Sequence, residues 1–428
     1  MMKTEPKHRK PVDSSWAQGL LTIFFGDKPL SKIWTGVLIF VGIGISALIS
    51  IKRSSLLPDQ FESDAKLILK FANGQTDEGG SFRTIATLYN NLHLTNNATL
   101  AGLFGVGLGA LLALVVIFRT GSIRKNVLSV SLVVIYFAFG GVFFGTYTKE
   151  VIVLMALVVV ASLVSTWYVE VVLIGIVALV GVTFRPYWVF LAGAYLCFRL
   201  IPLKFMKVRV LLPLMFIVNF GLSLAVWYGA HKPGDFFRTS VNQPREVTGE
   251  AATIIVRFIS DIPEPLGGAV NNAITLASLI FPFPLAGKFT PYYLAVFLVF
   301  IFIWVTFFVA VKMRSFEDRA LASRAIALVA SFVVVQGLFE PDYGSALRHL
   351  TPFIPFILLV WCPRNDDLPN AGAEKDSEAS LAETNGDEDT EYSTGAGVLS
   401  LTPVTKDEEK PTPDENSSAD DSNKEGKE

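Results

Sequence analysis

Long apolar runs alternate with short polar interruptions along this chain, and the runs approach the length at which a helix crosses a bilayer. About 20 apolar residues in a row cover roughly 30 Å of hydrocarbon. Inside that layer the backbone satisfies its own polar groups only as helix or closed barrel. Ten such runs are legible, at about 33–51, 99–118, 126–145, 151–166, 171–184, 187–201, 210–229, 292–311, 320–338 and 350–362. Two longer polar stretches separate them. The first, about 52–98, carries Asp59, Glu62 and Asp64 with the partly amphipathic DAKLILKFANG. The second, about 230–291, mixes Pro and Gly with some apolar, interfacial helix. The pattern predicts an all-α polytopic integral membrane protein of about ten transmembrane helices, 33–362, with two long outer loops.

Composition sharpens this picture. The 428 residues are 51% hydrophobic, 12% aromatic and only 17% charged, and a soluble domain of that length would not contain repeated stretches near 20 residues almost free of charge. Cys197 and Cys362, the two cysteines, suggest neither a disulfide framework nor a metal site. Residues 363–428 hold 19 acidic against 6 basic side chains, leaving 19 against 30 for the rest. That tail cannot bury enough apolar surface to offset its ordering entropy, so a disordered acidic cytoplasmic tail is expected. Residues 1–32 are polar and basic, with no apolar core placed for a cleavable signal peptide. The dense basic clusters, at Arg119/Arg124/Lys125, Lys204/Lys207/Arg209 and Lys312/Arg314/Arg319, join the N-terminal lysines on one side if that terminus is cytoplasmic. The positive-inside bias therefore puts both termini inside.

The outer side is left with a sparse set of cations at helix ends. Lys149 stands in TYTKE and Arg185 in RPYW. Arg348 lies in EPDYGSALRHLTPF, residues 340–353, beside His349, Glu340 and Asp342. The loop 230–291 adds Arg238, Arg245 and Arg257. Ionisable groups at a membrane boundary cost free energy unless paired or wet, so a cluster of them marks a candidate site. Arginine grips phosphate oxygens through a planar fork and lysine acts as a point charge; together they suit an anionic lipid head group, most simply a diphosphate. Each residue alone has the ordinary alternative of snorkelling to the interface. His349 can take a proton from a sugar hydroxyl, and Asp64 is a rival base. Tyr147, Tyr187, Trp188 and Tyr343 suit either sugar stacking or an interfacial aromatic belt. No metalloprotease, P-loop or nucleophile-elbow motif occurs. No cofactor, metal or nucleic acid is expected.

The stretches SDAKLILKFANG, TYTKE, FRPYW and RHLTPFIPF together resemble bacterial polysaccharide polymerases of the O-antigen polymerase (Wzy-type) and EpsG-like kind. The likeness covers most of 33–362 as a loose pattern and leaves out the acidic tail. That family is also associated with an Arg-x10-Gly pattern in outer loops. Arg238 with Gly249 and Arg257 with Gly268 fit it, although both lie in one loop where the family has two. The resemblance implies a membrane glycosyltransferase that joins polyprenyl-diphosphate-linked repeats at the outer face of the bacterial cytoplasmic membrane. In that scheme Arg185 and Arg348 hold the diphosphate with Lys149 assisting, and His349 or an outer-loop carboxylate deprotonates the acceptor. Partners are then the lipid-linked glycan and the bilayer; the acidic tail, outside the resemblance, is separately expected to reach envelope biosynthesis proteins. Three alternatives stay open: a glycosyltransferase using a polyprenyl monophosphate sugar with Asp64 as base, a glycan or lipid transporter, and a structural partner in an envelope assembly.

Overall fold

The structure, a computed structural model, describes residues 23–361 apart from 25, 27, 77–79, 165, 203–204, 249–252 and 314–318. Most of the expected basic N-terminus, Cys362 and the whole acidic tail lie outside the described residues. Among those described there is no strand, only two isolated bridges, Pro29 with Arg124 and Ile254 with Asp342.

The first half contributes α1 (Lys32–Ile51), α2 (Ser63–Ala72), α3 (Ser81–Asn91), α4 (Ala98–Thr120), α5 (Val127–Phe143), α6 (Glu150–Ser162) and α7 (Trp167–Thr183). The second contributes α8 (Tyr187–Arg199), α9 (Val208–Ala230), α10 (Phe236–Thr248), α11 (Leu266–Ile280), α12 (Pro291–Met313), α13 (Arg319–Phe339), α14 (Tyr343–Leu350) and α15 (Ile354–Val360). Six stretches are long and apolar enough to cross a membrane: α1, α4, α9, α12, α13, and Tyr343–Val360, in which a 3-10 turn joins α14 to α15. Helices α5, α6, α7 and α11 are apolar but shorter. The chain is a helical, multi-pass membrane protein.

Helix α13 is the axis of the bundle. Every residue from Leu321 to Leu338 is buried, and α8, α9, α11 and α15 pack around it. Ala320, Ala322, Ala325, Ala327 and Ala330 keep its surface thin; small residues let helices approach closely where lipid supplies no hydrophobic drive between them. The same device brings α1 and α4 against the turn after α5. A Cβ at Gly105 would run into the Phe144 carbonyl oxygen, and one at Gly141 would lie 2.8 Å from Ile49 Cβ. Ser50 donates to the Gly145 carbonyl at 3.0 Å. The turn leading into TYTKE is thus fixed by helix packing on two sides.

The two longer polar stretches are folded rather than loose. The first holds α2 and α3, and α3 with the turn that follows it pins TYTKE: Tyr147 donates to the Leu94 and Thr95 carbonyls at 2.9 Å, and the Thr148 N–H donates to Tyr89 at 3.1 Å. The second departs from the expected interfacial helix. It contains α11, which lies inside the bundle against α9, α12 and α13 with Asn271, Asn272, Thr275 and Ser278 fully buried. Other residues of that stretch hold the EPDY turn. The Ile255 N–H donates to the Pro341 carbonyl at 2.9 Å, and Arg245 reaches Asp342 at 3.0 Å.

Candidate active site

Four separate stretches of sequence meet at one end of the bundle. TYTKE supplies Lys149 and Glu150, the turn between α7 and α8 supplies Arg185, α2 supplies Asp64, and the segment through α14 supplies Glu340 before the helix and Arg348 and His349 in its last turn. Arg348 Nη1 lies 2.7 Å from Asp64 Oδ2, and Lys149 Nζ lies 3.5 Å from the same oxygen. Arg185 donates to Glu150 Oε1 and to the Tyr187 hydroxyl, each at 2.7 Å. Glu150 is the hub, because its Oε1 is also 3.5 Å from His349 Nε2 and 4.0 Å from Arg348 Nε. His349 Nδ1 continues the chain to Glu340 Oε2 at 3.0 Å.

Arg185 and Arg348 are therefore joined through one carboxylate, as a shared site requires. Their roles differ from simple cations facing a ligand. Arg185 is only 5% exposed and spends its guanidinium on Glu150 and Tyr187. It orients Glu150 and leaves the open edge of the cluster to Arg348 and Lys149, which retain 24% and 15% of their side-chain surface. Glu150 is the residue that sequence reasoning passed over. Its only signal was a carboxylate opening an apolar helix, next to a lysine already singled out.

The carboxylates divide by environment. Burial raises the Asp64 carboxyl, but Arg348, Lys149 and His349 together outweigh it and hold it at about 2. Burial dominates at Glu340 and pushes it up to about 7, the range of a working base. Burial likewise brings Lys149 down to about 8 against the pull of Asp64. Asp64 is thus an anchor for cations, while Glu340, with His349 against it, is placed to exchange a proton near neutrality. Among the described residues no group of three His, Cys, Asp or Glu is arranged to hold a metal.

Beside Glu340 and His349 opens a cleft of about 390 Å³, walled by Tyr187, Phe190, Phe237, Phe332, Val335 and Phe339, with Gln336 at the polar edge. Charge and an apolar slot adjoin. Of the aromatics proposed for stacking, Tyr187 lines this cleft, whereas Tyr147, Trp188 and Tyr343 are buried in the core at 2%, 1% and 1% exposure.

Arg238 and Arg257 belong to a separate cluster. Arg238 is fully buried, donating to the Thr275 hydroxyl and to the Gly337 carbonyl and lying 3.7 Å from Asp235. Burial lowers it to about 10. Arg257 is 3.7 Å from the same Asp235 and 2.8 Å from Glu264. A third group, Arg324 and Arg199 on Glu170 with Tyr195, lies near the opposite end of α13. Arg324 also donates to the Leu163 and Val164 carbonyls, so it clamps the α6–α7 turn.

The chain matches no protein-family model, no curated protein and no solved structure. The functional reading therefore rests on the site itself.

Proposed function

We propose that the protein is a membrane glycosyltransferase that polymerises polyprenyl-diphosphate-linked oligosaccharide repeats at the outer face of a bacterial cytoplasmic membrane. One observation carries this reading: a cluster containing Lys149, Arg348, Glu150, Glu340 and His349 adjoins an apolar cleft. Such a pairing suits an amphiphile with an anionic head. In this reading the shorter helices also cross the membrane, giving about ten crossings with the site end outside and both termini in the cytoplasm. The basic Lys125, Lys207 and Lys312 then fall inside, in accord with the positive-inside bias.

The isoprenoid portion enters the cleft and the diphosphate meets Arg348 and Lys149. An acceptor sugar hydroxyl attacks the anomeric carbon of the donor repeat, and its proton passes to the Glu340–His349 pair. The glycosidic bond to the diphosphate breaks with its electron pair leaving on the phosphate, where the fixed cations offset the growing charge. Asp64 holds Arg348 in place and takes no proton. This assignment separates the scheme from one with Asp64 as base and a monophosphate donor.

The test is reconstitution of the purified protein in vesicles with lipid-linked repeats. Long glycan and released polyprenyl diphosphate are expected from the wild type, with Arg348→Ala reduced at least about 100-fold, the scale of losing one preorganised charge contact. Full activity in Arg348→Ala together with a dead Asp64→Asn would favour the monophosphate-sugar enzyme instead.

A further inference from the structure

A second cavity, of about 300 Å³, lies against α10 and is lined by Phe236, Thr239, Ser240, Asn242, Gln243, Ile255 and Arg257. Its size reaches the lower range of ligand pockets, about 300–1,000 Å³, and its chemistry is unlike that of the apolar cleft. Hydroxyls and carboxamides dominate. Arg257, the one cation, is already engaged by Glu264 and Asp235. An anionic group would meet a single cation held between two carboxylates, with no second cation lining the cavity beside it, and a lipid chain finds too many polar walls.

Asn242 makes the cavity specific. The residue is 2% exposed, and its Nδ2 donates to the Ile255 and Pro341 carbonyls at 3.1 and 3.0 Å. Those two bonds fix which way the carboxamide faces, since the flipped form would set oxygen against two carbonyl oxygens. Its Oδ1 is left buried with no hydrogen-bond partner in the protein. A buried acceptor without a donor is costly, and a ligand hydroxyl meets that need. Thr239 and Ser240 spend their hydroxyl protons on backbone carbonyls and so present lone pairs, while Gln243 is exposed and offers both donor and acceptor.

Helix α10 divides the two spaces. Phe236, Thr239, Ser240 and Gln243, spaced i, i+3, i+4 and i+7, face the polar cavity, while Phe237 and Val241 face the apolar cleft. Ser240 borders both. We infer that the cavity beside α10 is a carbohydrate subsite that holds a neutral sugar residue of the glycan through Asn242 and Gln243, with α10 as the partition separating sugar from lipid. This inference rests on the polymerase reading for the source of the sugar, and its test is separable from that reading.

The probe is the free oligosaccharide repeat, released by mild acid from the host's own lipid-linked pool. It is titrated into full-length protein in lipid nanodiscs by calorimetry and saturation-transfer NMR. Gln243→Trp fills the cavity from an exposed position, so it tests the site without touching Asn242's backbone bonds; Asn242→Leu, where it folds, removes the buried acceptor. Binding is expected to weaken at least tenfold in Gln243→Trp, and transfer from the sugar protons to be lost. Wild-type protein that binds no free repeat, or a Gln243→Trp variant that binds it as tightly as the wild type, overturns the subsite, even if polymerisation proceeds. Conversely, a repeat that binds and is displaced by Gln243→Trp supports it even if vesicle assays show no chain growth, the result that would sink the polymerase reading alone.

Discussion

Glu150 is the residue on which the site turns. Buried at 1%, it holds Arg185 bidentately and lies within 4.0 Å of Arg348 and His349. Removing one member of such a pair strands an uncompensated charge in the protein, which costs about 3–5 kcal/mol. Glu150→Ala and Arg185→Ala should each lose stability on that scale, read as denaturant or thermal unfolding in detergent. A combined, isosteric Glu150→Gln, Arg185→Met variant should recover much of it yet stay inactive. Glu340 controls the pH profile. Its carboxyl is neutral below about 7, so it cannot accept a proton there, and turnover should rise as pH passes through 7. In Glu340→Gln that rise should vanish along with most activity. Stability moves the other way. The folded chain keeps the Glu340 proton up to about 7, whereas the unfolded chain releases it near the ordinary glutamate value of 4.5, so this contribution fades between those values. Asp64 gives the opposite limb, with stabilisation present above the unfolded value of 3.8 and lost as pH falls toward 2. Unfolding midpoints measured across pH 2–8 separate the two limbs.

Among the elements, the short segment from Phe144 to Lys149 does the positioning. Glycines of α4 let the backbone of that turn approach, and Tyr89 and Tyr147 hold it from the α3 side with a T-shaped ring contact at 5.1 Å. Gly105→Val should displace the turn and disable the site without touching any charged residue. Tyr147→Phe removes one hydroxyl shared between two carbonyls and should cost about 1–3 kcal/mol, the range for a buried group left without its hydrogen-bond partner. Activity and unfolding measured together would expose a mismatch with this division. The helical elements were largely legible in the apolar runs, because length and hydropathy alone demand a helix in lipid. Helix α11 escaped that reading. Its 15 residues include Gly267, Gly268, Asn271 and Asn272, and local polarity of that kind marks a loop unless neighbours satisfy it. Asn271 does so by bonding the 258–259 backbone, and Asn272 by bonding Ser223 and Gly234.

At the scale of the molecule, polar clusters sit toward the two ends of α13, the Glu150 cluster near Glu340 and the Glu170–Arg324 clamp roughly 24 Å away at 1.5 Å rise per residue. In a background with Cys197→Ser and Cys362→Ser, cysteines at Gln75 and His231 should react with an impermeant maleimide on intact cells. Those at Lys125 and Lys207 should react only after permeabilisation. Labelling of all four from one side would end the proposed orientation and, with it, the lipid-linked donor.

What the sequence by itself determined was the membrane, the helical class and the candidate cations Lys149, Arg185 and Arg348, since each follows from hydropathy or from the cost of charge at a lipid boundary. Only the tertiary structure decided what those cations do. Partners lie as far apart as Asp64 and Arg348, 284 positions along the chain, and no local pattern encodes which carboxylate a guanidinium will meet. Packing around α13 made that choice, turning Arg185 into a prop for Glu150, Asp64 into an anchor and Glu340 into the group that titrates near neutrality.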